Sequence, residues 1–424
     1  MAATSGSGRT GAGRRTYAAA CCSLALLLSG AAAGSSAADT APTPLPSSGG
    51  TAAPLRLPVI PTGLDPQALK GCTKASPTVA HTVPWAQQSL ELDRAGQLSS
   101  GAGVTVAVVD TGVSRSAPAL AGRVTAKGAA GKDCVGHGTF VAGLIAAAPA
   151  AGSGFSGVAP GARVLGLSGF GPGGAPSEPA VAQAVRTAVD AGASVVDVSL
   201  GFQSSGAALD SALAYAAAKD VLVVAAAVPD GVYYKDASDD DPPAIPFWPA
   251  AHPGVLSVVD VDGTGSRPVG AVRPARADLA APGDAVISIG PSGRGHFLGD
   301  GPSVAAALVA GAAVLLRSYE PELTAPEVAA RLEATAYPGA VPVLDAYAAL
   351  SDVLPGAPGR TAAPDTAFSL HREPADPGPE HRALLVVGGS ALTAAALAAN
   401  AALARRRRSA PPRPAATTSA APPA

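Results

Sequence analysis

The feature that most constrains the fold is an alternation of predominantly apolar stretches with amphipathic ones between residues 104 and 336. The apolar stretches predict buried strands at Val104–Val109, Arg163–Leu167, Ser194–Leu200, Val221–Ala227 and Val255–Val259. The amphipathic stretches predict helices at Phe140–Ala148, Glu178–Ala191, Ala207–Lys219, Val304–Tyr319 and Ala325–Ala336. Continuously apolar strands separated by helices are typical of a parallel sheet that is covered on both faces. We therefore predict an α/β fold, a doubly wound parallel sheet with function at the carboxyl ends of its strands.

Composition excludes several classes of protein. Apolar residues make up 48% of the chain and charged residues only 14%, which excludes a wholly disordered chain and a long solvated helix. The formal charge of −2 provides no global field for a polyanion, so we expect no nucleic-acid partner. The four cysteines lack the closely spaced C-x-x-C pairs of a zinc site, and we predict no metal centre.

Both ends of the chain carry targeting signals. Residues 1–33 combine basic residues, a short apolar run at Tyr17–Ser29 and then small residues, the order of a secretory signal peptide. Ala383–Ala404 is 22 residues long without a charge, close to the roughly 20 that span a bilayer, and Arg405–Arg408 follow directly. Because basic clusters stay cytoplasmic, we predict a single-pass cell-membrane protein with its body outside and a cytoplasmic tail at 405–424. A first core helix and a nucleic-acid patch are the weaker alternatives for these two segments.

Shifts in composition divide the rest of the chain. Residues 34–66 are rich in Ala, Pro, Ser and Gly and predict a flexible or extended leader. Residues 351–382 are rich in proline and charge and predict a linker that separates the body from the membrane. One compact domain is therefore expected at 67–350.

Three segments of that domain place reactive side chains at element ends. Asp110 closes an apolar strand before Thr-Gly, His137 lies between glycines at a helix start, and Ser303 opens a helix of small residues. A serine hydroxyl is a weak nucleophile that needs an adjacent base, which His137 can supply, while Asp110 can hold the imidazole tautomer. A serine at a helix N-terminus also offers its backbone N–H to a developing oxyanion.

These segments resemble the Asp, His and Ser blocks of the subtilisin-like serine peptidases, D-[ST]-G, H-G-T-x-[VA]-A-G and G-T-S-x-A-x-P. The similarity extends over roughly residues 67–350 and includes F-S-G-V-A-P-G-A-R-V at 155–164, V-V-D-V-S-L-G at 195–201 and V-L-D-A-Y-A-A-L at 343–350. The resemblance implies a subtilisin-like fold, peptide-bond cleavage by Asp110, His137 and Ser303, and no metal or organic cofactor. It also implies that Ser199, Leu200 and Gly201 pair with an extended peptide substrate.

A narrower resemblance is to the mycosins, membrane-anchored subtilases associated with actinobacterial type VII secretion. It rests on P-W-A-Q-Q-S-L at 84–90, D-C-V-G-H-G-T at 133–139, the signal peptide and the C-terminal anchor. It implies a peptide or protein substrate, a location at the cell membrane and a type VII secretion complex as partner.

Two departures from the family pattern bear on activity. The Ser block lacks its usual Thr and Pro, which are Pro302 and Ala307 here. The strand that usually ends in A-A-G-N runs A-A-V-P, so Pro229 stands where the family has its oxyanion asparagine. Losing that donor lowers kcat by about 10²–10³-fold, and we expect weak but measurable hydrolysis. The alternative is a catalytically weakened or inactive subtilase that acts as a scaffold on the secretion complex.

Cys72 and Cys134 are the cysteines that remain after the signal peptide. In an exported chain disulfides persist, and we predict that these two cysteines pair and tie the N-terminal segment to the loop before His137. Two unrelated buried thiols are the alternative.

Two further patterns are weaker. Gly169-Phe-Gly171-Pro-Gly-Gly174 fits the spacing G-x-G-x-x-G of dinucleotide sites, but prolines interrupt the turn, and a loop beside a peptide groove explains it more simply. The acidic run Asp236–Asp241 lacks the spacing of a calcium loop, and we favour a solvated loop there.

Overall fold

The computed structural model describes residues 56–62, 71–234, 243–353, 392–402 and Arg405. The predicted signal peptide and the acidic run at 236–241 lie outside the described residues, as does most of the predicted linker. The compact unit described below begins at Pro58.

A seven-stranded sheet forms the centre of the protein, and every neighbouring pair of its strands is parallel. Its strands are β1 (Thr105–Asp110), β2 (Val124–Ala126), β3 (Arg163–Ser168), β4 (Val195–Val198), β5 (Leu222–Ala226), β6 (Val255–Val261) and β7 (Leu279–Pro282). The order of the strands in the sheet is β2-β3-β1-β4-β5-β6-β7. β2 and β3 lie on one side of β1 and the later strands lie on the other, so the strand order reverses at β1. A separate antiparallel pair consists of β8 (Val286–Ile289) and β9 (His296–Gly299).

Helices cover both faces of the sheet. The α-helices of the described residues are α1 (Trp85–Ser89), α2 (Leu92–Leu98), α3 (His137–Ala146), α4 (Glu178–Asp190), α5 (Ala207–Ala218), α6 (Pro302–Tyr319), α7 (Ala325–Ala334) and α8 (Ala346–Ser351), with a separate α9 (Leu392–Ala402) outside the sheet's layers. Side chains alternate along β1, so that Val106 and Val108 join the core that contains α3 and α6. Ala107 and Val109 join the core under α4 and α5. The layered α/β fold predicted from the alternating pattern is thereby confirmed.

The five predicted strands and five predicted helices are all present, with ends shifted by up to three residues. The largest shift is at α3, which begins at His137 rather than Phe140, and so includes the histidine in its first turn. The sequence did not predict β2, β7, β8 or β9, which are three or four residues long and carry no distinct pattern.

The end of the predicted leader packs on the domain. The amide of Ile60 donates to the carbonyl of Leu298 at 2.7 Å, and the amide of Leu298 donates to Pro58 at 2.9 Å. The Ile60 side chain is only 3% exposed and belongs to the main core. Part of the predicted leader, at residues 58–60, therefore packs as an extended segment beside β9.

One helix among the described residues is long and apolar enough to cross a membrane, and it is α6, which has a mean hydropathy of 1.4. It is 89% buried inside the domain, as expected for a core helix. Of the span predicted at 383–404, the structure describes α9, on which Leu392 is 75% and Leu397 67% exposed. The membrane span stays a prediction.

Candidate active site

The predicted reactive residues meet at the carboxyl ends of β1, β4 and β5, where the first turns of α3 and α6 also lie. A cavity of about 130 Å³ opens there and is lined by Thr62, Asp110, His137, Pro176, Ser199, Leu200, Gly201, Pro229, Asp230 and Val232. The carboxyl ends of strands beside a reversal of strand order are the usual ligand site of such sheets, as the sequence predicts.

Asp110 and His137 form a buried pair. His137 Nδ1 lies 2.7 Å from Asp110 Oδ2, and both side chains are at most 5% exposed. The helix start can approach β1 because residue 138 is glycine: a Cβ there would lie 2.0 Å from the Gly112 carbonyl oxygen. Burial raises the pKa of Asp110, but His137 more than offsets this and leaves the pKa below its ordinary value.

The loop before His137 is held by Asp133 and by a disulfide. Asp133 Oδ2 accepts from the Thr139 amide at 2.7 Å, and Oδ1 accepts from the Gly136 amide at 2.9 Å and from the Thr111 hydroxyl at 2.7 Å. The predicted disulfide Cys72–Cys134 is present and closes a sequence separation of 62 residues. It ties the N-terminal segment to the loop that orients His137.

Ser303 lies in the first turn of α6 and is fully buried. Pro302 occupies the first helical position, where a missing N–H and a fixed φ are well tolerated. Ser303 Oγ lies 3.4 Å from His137 Nε2, longer than the 2.6–3.2 Å or so of a hydrogen-bonded nucleophile and base. The three residues predicted from the motifs are therefore brought together, with the serine and the histidine slightly apart.

Asp230 lies between them, and sequence reasoning missed it. Its Oδ2 accepts a hydrogen bond from the Ser303 hydroxyl at 2.5 Å, and its Oδ1 accepts one from the Ser303 amide at 3.0 Å. Pro229, the predicted oxyanion position, lines the same cavity with its ring near Gly201, and the side chain that contacts Ser303 is that of the next residue, Asp230. The available signal was a carboxylate a few residues after an apolar strand, a placement similar to that of Asp110 at the end of β1.

Three carboxyl groups surround His137. Burial lowers the pKa of the imidazole, but Asp110 and Asp230 outweigh burial and raise this pKa well above its ordinary value. The third group, Asp197 in β4, is fully buried, and burial together with the negative charge of Asp110 raises its pKa well above the usual range. The first shift favours the imidazolium form of His137, and the second favours the neutral acid form of Asp197.

The predicted substrate strand follows β4 along one wall of the cavity. Ser199 and Leu200 are buried, and Gly201 is half-buried. The segment 170–176, whose Pro176 also lines the cavity, forms a small turn. In it the Gly171 amide donates to the Ala175 carbonyl and the Gly174 amide donates to the Gly171 carbonyl, both at 2.9 Å. Both amides already donate hydrogen bonds within the turn and are not available to bind a phosphate. This fits a loop beside a peptide groove better than a dinucleotide site. Within the described ranges no group of three His, Cys, Asp or Glu residues could hold a metal ion.

Comparison with known proteins assigns the class. The Subtilase family, peptidase S8, matches residues 101–382, and the chain belongs to this family of serine endopeptidases. The chain is similar to mycosin-1 of Mycobacterium tuberculosis, with 33% identity over 415 residues that cover 81% of this chain and 92% of mycosin-1.

Two solved structures share the fold. One is the serine protease MycP1, described as an essential component of the type VII (ESX-1) secretion system, with a TM-score of 0.56, 28% identity, and coverage of 70% of this chain and all of that one. The other belongs to the periplasmic assembly of the ESX-5 inner membrane complex, with a TM-score of 0.56, 28% identity, and coverage of 73% and 94%. The resemblance to mycosins that the motifs predicted is thereby confirmed.

Proposed function

We propose that this protein is a membrane-anchored serine endopeptidase of mycosin type that works at a type VII secretion complex and uses Ser303, His137 and Asp110 as its triad. The observation that carries the proposal is the buried chain of contacts from Asp110 Oδ2 to His137 Nδ1 at 2.7 Å, and from His137 Nε2 to Ser303 Oγ at 3.4 Å.

The chemistry follows from these positions. Ser303 Oγ attacks the carbonyl carbon of the scissile peptide bond while its proton passes to His137 Nε2. His137 then gives that proton to the leaving amine as the C–N bond breaks, which leaves an acyl ester on Ser303. Water attacks the ester with His137 again as base, and the released acid and the free serine complete the cycle. Asp110 stabilises the imidazolium in both halves.

The peptide substrate is proposed to bind as an added strand. Ser199, Leu200 and Gly201 continue β4 along the wall of the cavity, which Pro176 of the turn at 170–176 also lines. Backbone hydrogen bonds of this kind recognise an extended peptide with little dependence on its side chains. A protein substrate would therefore have to present an extended loop or a terminus.

Membrane attachment is proposed for the C-terminal segment 383–404. The described part of it, α9, exposes apolar side chains along its whole length and is followed by the basic run at 405–408. Similarity to a chain of the ESX-5 inner membrane complex supports the same location for this protein. The catalytic body would then lie on the extracytoplasmic side.

A fluorophosphonate probe is expected to label the purified protein at Ser303, because the probe traps a serine that an adjacent base activates. Mass spectrometry of the labelled peptide should identify Ser303, and Ser303→Ala should abolish the label. Ser318→Ala is the matched control, since Ser318 lies on the same helix and donates to the Ala102 carbonyl away from the site. A folded protein that takes no label would favour the scaffold function over the enzyme.

Ending the chain after Val353 is expected to move the protein from the membrane to the soluble extracytoplasmic fraction, because the proposed span is removed. Ending it after Arg408 is the control, which retains the span and its basic flank and should stay in the membrane pellet. Immunoblotting of fractionated cells measures both chains. A shortened chain that still pellets with the membrane after a high-salt wash would contradict anchoring by 383–404.

A further inference from the structure

Asp230 forms contacts with groups that must be free for other contacts during catalysis. In subtilases the serine amide donates to the substrate oxyanion, the serine hydroxyl gives its proton to histidine, and histidine needs a free lone pair on Nε2. Here the Ser303 amide donates a hydrogen bond to Asp230 Oδ1 at 3.0 Å, and the Ser303 hydroxyl donates one to Asp230 Oδ2 at 2.5 Å. The same Oδ2 lies 3.2 Å from His137 Nε2. One carboxylate thus engages every group that the first step of the reaction uses.

The surroundings are shaped to accept this carboxylate. Asp230 is 6% exposed and follows β5 at the edge of the cavity. Gly301, with φ at +126°, leaves the room for it, because a Cβ at that position would lie 2.2 Å from Asp230 Oδ1. A buried carboxylate needs charge-assisted partners, and Ser303 and His137 provide them.

We propose that Asp230 is an intrinsic inhibitory residue, whose carboxylate occupies the place of the substrate oxyanion and so holds the site in a resting state. The inference rests on the proposed function of Ser303 as nucleophile and deepens it. A negative charge at this place opposes the transition state, because charge develops on the carbonyl oxygen at the same donors. Removing the charge activates the enzyme, and supplying an amide activates it further.

The resting state also has a proton signature. The titratable groups that face His137 are Asp110 at the end of β1, Asp197 in β4 and Asp230 after β5. Removing one carboxylate beside an imidazolium lowers its pKa, so the neutral base form of His137 appears at lower pH. The rising limb of kcat/KM should shift to lower pH when Asp230 loses its charge.

The test compares Asp230→Asn and Asp230→Ala with the native chain in the rate of fluorophosphonate labelling at Ser303. Asp230→Asn replaces the carboxylate by a donor, and we expect labelling at least about 10²-fold faster than in the native chain, the value of one oxyanion-hole donor. Asp230→Ala removes the charge without adding a donor and should fall between the two. Asp300→Asn is the matched control, because the exposed Asp300 accepts from the Ala285 amide and should label at the native rate.

A second measurement does not depend on turnover. The ring ¹⁵N shifts of His137, assigned by comparison with His137→Gln, should show an imidazolium at neutral pH in the native chain. They should titrate at lower pH in Asp230→Asn. This readout separates an electrostatic role of Asp230 from a purely structural one.

Each outcome decides the inference. The order Asn above Ala above native, with a lowered titration of His137, supports it. Equal labelling of Ser303 in all three chains overturns it and leaves the proposed nucleophile intact, and slower labelling in Asp230→Ala would make Asp230 a helper rather than an inhibitor. No label on Ser303 in any chain overturns both, and an unchanged His137 titration overturns the inference alone.

Discussion

Replacing Asp110 with asparagine is expected to lower kcat by about 10⁴-fold, because an amide at this place favours the wrong tautomer of the histidine and no longer stabilises its cation. The contact at stake is the buried one between His137 Nδ1 and Asp110 Oδ2 at 2.7 Å. Hydrolysis of a chromogenic peptide measures the effect, both in the native chain and in the Asp230→Asn background, where a higher rate leaves more room for the loss.

Asp197→Asn is the matched control for that experiment. Asp197 is fully buried below the same site, and burial raises the pKa of its carboxyl well above the usual range. This shift favours the neutral acid, so an amide of the same size changes the charge little. We expect a loss of kcat smaller than about tenfold there, since no charge stabilisation or proton relay depends on it. Equal losses at Asp110 and Asp197 would mean that a general disturbance of the core, and not the contact with His137, controls the rate.

Removing the disulfide by the double substitution Cys72→Ser and Cys134→Ser is expected to lower the free energy of unfolding by about 4 kcal/mol. The reason is the entropy that the unfolded chain regains when the cross-link over 62 residues is absent. This is a large share of the 5–15 kcal/mol or so that stabilises an ordinary domain. Chemical denaturation of the oxidised native chain and of the double variant measures the difference.

Reduction of the native chain with a thiol provides the comparison for the double variant. Both should unfold at the same denaturant concentration, because both lack the cross-link and keep every other contact. The backbone bond from the Thr73 amide to the Cys134 carbonyl at 2.8 Å persists in the two forms. A double variant as stable as the oxidised chain would show that this neighbouring contact already holds the segment in place.

Much of the fold could be predicted because buried strands and helices have recognisable patterns of apolar residues in the sequence. A strand such as β5 is buried on both faces, so it is apolar without interruption, and a helix such as α4 shows an amphipathic period of its own. The short strands β8 and β9 could not be predicted, because they pair with each other through tertiary position and not through a distinct pattern.

The sequence allowed prediction of those site residues that lie in recognisable motifs at the end of a strand or the start of a helix. Asp110, His137 and Ser303 each follow that rule, and the structure brings them together. Asp230 also follows an apolar strand, but no motif includes it, and motif spacing assigns the oxyanion position to its neighbour Pro229. The path of the chain after β5 decides which of two consecutive side chains reaches Ser303, and that path depends on contacts with Gly201 and Gly301.

The strand order of the sheet determines when during folding the site can form. β1 pairs with β3 and β4, which follow much later in the chain, and His137 meets Ser303 across a separation of 166 residues. Contacts of such long range form slowly, since the entropy of closing each loop must be lost before pairing compensates for it. The helix that carries Ser303 also fills the core, so it packs only when nearly the whole domain has been delivered. In a nascent chain, Ser303 therefore stays apart from His137 until folding is almost complete.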